Sequence, residues 1–231
     1  MRLAKSLLAE FIGTFALIFI GAGAVTVLPA HSIAAIALAH GLVITIFAYA
    51  YGKDSGSFIN PAMTISAVVA GEHPVLDAIP VIIVQFIGGI LGAEALLAIY
   101  GHGAPNQLGQ TLINLHQTTL MGGFLLEAIG SFFLANTILN AGIRGAGGNL
   151  APLAIGMTLT VCIFAFGPVT GGSLNPARTL GPAVANGNYS EVDLYFAAQI
   201  LGGVVAGLLY RFVWKKSLSP VALGRPVAQS S

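Results

Sequence analysis

Along the chain, long apolar stretches alternate with short polar breaks, and the stretch lengths fall into two classes. Six are long enough to cross a bilayer as helices of about 20 mainly apolar residues: about 7 to 27, 32 to 51, 75 to 99, 118 to 139, 150 to 167 and 193 to 214. Two more, about 59 to 70 and about 174 to 185, are too short to span and too hydrophobic for a loop in water. They predict half-helices dipping into the membrane. Exposed loop backbone is not tolerated in lipid, so the segments leading into them must be covered by protein or line water.

Composition agrees. Of 231 residues, 56% are hydrophobic and 7% charged, with a mean hydropathy of +0.88, against about a quarter charged in soluble domains. The first stretch superficially resembles a signal peptide, but its length and Glu10 predict a retained span. Cys162, in the fifth span, reads as a small packed residue. Arg2, Lys5, Lys53, Arg144, Arg211, Lys215, Lys216 and Arg225 all fall on one side of a six-span chain, which predicts that both termini are cytoplasmic. Arg178 alone falls on the opposite side and needs another explanation.

The chain repeats itself. "EFIGTF" from Glu10 answers "EAIGSF" from Glu127, Asn60 answers Asn175, and "QFIGGILGA" from Gln85 answers "QILGGVVAG" from Gln199, with separations that agree within two residues. Each half holds three spans, an odd number, so the halves enter the membrane in opposite senses. The expected fold is an all-α membrane protein: one domain over 1–231, with six transmembrane helices and two re-entrant half-helices in an inverted repeat of about residues 1–115 and 116–231. Gly88 with Gly92, and Gly203 with Gly207, read as matching close helix contacts.

Each half-helix opens on Asn-Pro-Ala: Asn60, Pro61 and Ala62, then Asn175, Pro176 and Ala177. Asn is a favoured N-cap and Pro is favoured at the first helical position. Inverted symmetry brings the two N-termini together near the midplane, each with about half a positive charge, a barrier to any cation or hopping proton. A pore for neutral solutes is the best account.

With "AEFIGTF", "SGSFINPAMT", "GGSLNPARTLGPAV" and the duplicated Gln-x-x-Gly-Gly, the chain resembles the aquaporin, or major intrinsic protein, family over nearly its whole length. The resemblance implies a pore through each monomer and a homotetramer in the lipid bilayer. It implies that Asn60 and Asn175 donate hydrogen bonds to the passing molecule, that Arg178 forms part of a narrow external filter, and that Glu10 and Glu127 are internal partners of the half-helix backbone. Aligned on the same motifs, His40, Ile163 and Gly172 complete the filter. The set His, Ile, Gly, Arg is similar to a subgroup of plant tonoplast intrinsic proteins that passes water and ammonia.

Phe58 stands where most relatives have His, and Met63 where they usually have Val, which implies a narrower or drier cytoplasmic half. His102 and His116, in the loop that adds a filter histidine in some relatives, are left unassigned. The function expected is a passive channel for water, with ammonia or other small neutral solutes, excluding protons and ions. A glycerol, polyol or metalloid facilitator, a coupled transporter and a junction protein with a blocked pore are the alternatives. No nucleophile–base pair or metal-ligand spacing stands out, so no enzyme, cofactor, metal or nucleic-acid partner is expected. The short tails predict a plain channel of the cell membrane.

Overall fold

The computed structural model describes residues 2–29 and 31–215. Lys216 and Arg225, which entered the orientation argument, lie outside the described residues. Six helices are long and apolar enough to cross a membrane: α1 (Leu3–Val27), α2 (Ile33–Ser55), α4 (Val75–Tyr100), α5 (Leu120–Ile143), α6 (Gly148–Thr170) and α8 (Val192–Trp214). The short helices α3 (Pro61–Val69) and α7 (Pro176–Asn186) complete the two halves. The fold is the all-helical one expected, with no strand among the described residues.

Helix ends depart from the hydropathy boundaries because backbone geometry sets them. α2 runs on through Lys53 and Asp54 to Ser55, where Gly56 at φ 90° closes it with a hydrogen bond to the Gly52 carbonyl. α6 ends the same way at Thr170, before Gly171 at φ 82°. Both stops come just before an Asn-Pro-Ala.

Packing follows the repeat. α1 packs on α4 as α5 packs on α8, and α2 and α6 join the halves. α3 leans on α8 and α7 on α4, so each half-helix rests against the last helix of the opposite half. The glycines correct one expectation of symmetry. A Cβ on Gly88 would lie 2.6 Å from the Phe11 carbonyl oxygen of α1, whereas on Gly203 it would lie 2.7 Å from that of Ala62 in α3. Counted from Gln85 and Gln199, the counterpart of Gly88 is Gly202, which presses on the Ala128 backbone of α5. The two small-residue pairs therefore face different neighbours.

The surface is apolar where lipid would lie, with Leu42, Ile46, Ile83, Ile87 and Leu91 exposed. Glu10, Gln85, Glu127 and Gln199 are fully buried. At the face carrying Lys53, Lys215 pairs with Glu72 at 3.0 Å and donates to the Gly71 carbonyl at 2.8 Å, a cation at the C-terminal end of α3.

Candidate pore

Each half-helix begins with an asparagine in extended conformation. Asn60 (φ −163°) accepts from the Ala62 N–H at 2.9 Å, and Asn175 (φ −154°) accepts from the N–H groups of Ala177 at 2.9 Å and Arg178 at 3.3 Å. The proline after each sits at the first helical position, where its missing N–H costs nothing. The two motifs then bind each other: Asn60 Nδ2 donates to the Leu174 carbonyl and Asn175 Nδ2 to the Ile59 carbonyl, both at 2.8 Å. The half-helices thus meet with their N-termini together. An amide nitrogen carries two hydrogens, so each asparagine keeps one for a molecule in the cavity that both line.

The segments entering the half-helices are forced into unusual backbone. Ile59 has φ 54° and Leu174 φ 51°, and positive φ is a genuine outlier for a β-branched residue. Two buried carboxylates hold these turns. Glu10 accepts from the N–H groups of Phe58 at 2.9 Å and Ile59 at 2.7 Å, and from Gln85 Nε2 at 2.8 Å. Glu127 accepts from Ser173 N–H at 3.0 Å, Leu174 N–H at 2.8 Å, the Thr170 hydroxyl at 2.7 Å and Gln199 Nε2 at 2.9 Å. A carboxylate inside a membrane is costly, and here both oxygens of each face converging donors.

A narrow cavity passes the asparagines, with His40 and Arg178 on its wall at one end and Phe58 and Ile155, which also line recesses on the Lys53 side, at the other. His40 Nδ1 bonds the Ile36 carbonyl at 2.9 Å; a carbonyl only accepts, so Nδ1 carries the proton and Nε2 of the neutral ring is an acceptor. That Nε2 is buried without a protein partner. Arg178 is 2% exposed, yet its Nε and Nη1 are also without partners. Glu191, the nearest acid that follows it in sequence, accepts from the Ile113 N–H at 2.8 Å instead. An acceptor and at least two donors are therefore left open at one end of a narrow cavity, where unmade hydrogen bonds are costly.

The structure places the remaining candidates plainly. Gly172, at φ 57°, touches Ile163: a Cβ there would lie 3.0 Å from Ile163 Cγ1. Neither residue lines the cavity, whereas His40 and Arg178 do. Met63 is packed in the core. His102 and His116 are exposed and away from the cavity wall. Among the described residues, no three His, Cys, Asp or Glu side chains gather as metal ligands.

The family model described as Major intrinsic protein matches residues 1–210. The chain belongs to that family. It is 32% identical over 222 residues to the "Probable aquaporin TIP2-2" of Oryza sativa subsp. japonica, covering 91% of this chain and 87% of the relative. It is 37% identical over 213 residues to the "Glycerol uptake facilitator protein-like 6" of Lactiplantibacillus plantarum, covering 90% and 97%. The X-ray structure of the aquaglyceroporin from Plasmodium falciparum shares the fold, with a TM-score of 0.79 at 24% identity over 92% of this chain and 97% of that one. This member of the major intrinsic proteins is accordingly an integral multi-pass membrane protein and a passive channel.

Most of the wall of this family member's cavity is built from residues that carry no signal singly in the sequence. Leu17, Ile44, Leu134 and Leu159 line it, and singly they are unremarkable apolar residues. The signal lay in the repeat: Leu17 and Leu134 each follow their glutamate by seven residues, and Ile44 and Leu159 each precede their asparagine by sixteen.

Proposed function

We propose that the chain conducts water, and ammonia with it, while turning back ions. Molecules enter past a filter whose cavity wall is His40 and Arg178, completed by Ile163 and Gly172, which pack against each other outside that wall; they then bind the free amide hydrogens of Asn60 and Asn175 and leave between Phe58 and Ile155. The observation that carries this reading is the set of buried, unpartnered polar atoms at one end of the cavity, His40 Nε2 with Arg178 Nε and Nη1. Water and ammonia both donate to the first, and both accept from the second. A cation meets the arginine and then two helix N-termini, each with about half a positive charge. Pro61, Ala62, Pro176 and Ala177 form the helix starts that hold the asparagines, and Glu10 and Glu127 brace the backbone before them. The working unit is read as a homotetramer in the cell membrane by resemblance to the family, and the basic residues at the face carrying Lys53 and Lys215 support cytoplasmic termini.

Stopped-flow light scattering on proteoliposomes tests the reading. Rapid shrinkage with a low activation energy is expected, and a rate equal to that of empty vesicles refutes it. An internal pH dye with an ammonium gradient tests the second cargo: His40→Phe with Ile163→His keeps water flow and cuts ammonia flow, and unchanged ammonia flow refutes the filter assignment. A polyol channel is the second reading, favoured by the 37% identity to a relative named as a glycerol uptake facilitator. Glycerol-driven reswelling of the same vesicles decides it.

A further inference from the structure

At the face carrying Lys53 the cavity ends against two recesses, one bounded by Glu72 and His73 and the other by Gly52 and Asn149. Phe58 lines both the cavity and the first recess, and Ile138 and Ile155 line both the cavity and the second. Three apolar side chains therefore stand at the boundary between the cavity and the open side. We propose that Phe58, Ile138 and Ile155 form a second, apolar constriction on the conduction path and that this collar limits the rate of water. The proposal rests on the reading of the cavity as that path.

The repeat explains why a collar stands there. Counted from Asn60 and Asn175, His40 and Ile155 hold the same place in the two halves; counted from Glu10 and Glu127, Gly21 and Ile138 do; and Phe58 corresponds to Ser173. The operation that exchanges the halves thus carries a histidine, a bare glycine and a serine at the polar end onto isoleucine, isoleucine and phenylalanine at the other. The geometry of the ends is duplicated while the chemistry is inverted. A molecule at the polar end exchanges hydrogen bonds with His40 and Arg178, whereas the three collar side chains offer it none. Such apolar constrictions gate by dewetting.

Phe58 is also held in place. Its N–H is bonded to Glu10 at 2.9 Å, and its ring meets the His73 ring edge-on with centroids 5.7 Å apart. Ile155 is partly buried, so a polar replacement there tests the collar with little demand on the fold.

The test uses the full chain in proteoliposomes, with water permeability measured by stopped-flow at several temperatures. Phe58→His and Ile155→Asn each introduce one hydrogen-bonding group at the collar. Each variant is expected to raise water permeability about threefold or more and to lower its activation energy, since a modest hydrogen bond gained at the barrier is worth that factor. If both variants elute from size exclusion as the native protein does, and their rates and activation energies match it, the collar is overturned. If Phe58→His fails to assemble, Ile155→Asn decides alone. A native chain that shrinks vesicles no faster than lipid alone overturns the conduction reading instead.

Discussion

Replacing Glu127 with glutamine probes how the second half-helix entry is held. The change is nearly isosteric, but an amide offers one acceptor oxygen where the carboxylate offers two. One Glu127 oxygen accepts from Thr170 and Ser173, the other from Leu174 and Gln199. If the new NH2 faces the first pair, the Thr170 hydroxyl turns to accept it, but the Ser173 N–H is orphaned. If it faces the second pair, Gln199 can flip its amide, but the Leu174 N–H is orphaned. Either way one buried backbone donor is lost, at about 1–3 kcal/mol, and the two bonds still donated to the amide oxygen fall from charged to neutral strength, about 1 kcal/mol each. The total is about 3–5 kcal/mol, and it falls on a turn where Leu174 sits at φ 51°. At about 2–4 °C per kcal/mol for a chain of this size, thermal unfolding in detergent drops by roughly 10 °C, and water permeability per protein falls with it. A variant that melts within about 2 °C of the native protein and conducts like it would show that this carboxylate is not what holds the entry.

Two further substitutions follow from close contacts. In α1, Gly21 lies within a π-helical turn, and a Cβ there would come within 2.6 Å of His40 Cδ2; Gly21→Ala therefore pushes the imidazole and changes the water rate several-fold without altering melting much, and an unchanged rate would remove His40 from the path. Gly202→Ala drives a methyl group into the Ala128 carbonyl of α5, whereas Gly52→Ala meets nothing within 4 Å. The first is expected to destabilise by several kcal/mol, the usual result of overpacking, and the second to be neutral or slightly stabilising; detergent melting curves that rank them the other way would contradict the packing described.

Span number, the inverted repeat and the half-helix starts were legible because each depends on local physics. Apolar run length is read directly against bilayer thickness, and Asn-Pro at a helix start satisfies the backbone with its own side chain. Gly88 and Gly203 show where reading by pattern failed: both look like packing glycines, but which neighbour each presses on depends on a one-residue register that only the folded chain displays. The apolar wall was hidden for a similar reason, since Ile138 and Ile155 look like any other membrane-facing isoleucine until α5 and α6 are placed around the cavity.

The number of membrane crossings, the starts of the two short helices and the opposite senses of the halves can all be read along the chain. It takes the folded chain to show that Asn60 binds the Leu174 carbonyl and Asn175 that of Ile59, that Glu10 and Glu127 brace strained turns almost fifty residues away, and that Arg178 is buried with nitrogens left open. Helix propensity and hydropathy act over neighbouring residues, whereas a polar atom's partner is set by where distant helices come to lie. In a membrane interior that offers no water to fill the gap, that placement decides which groups are satisfied and which are left for a solute.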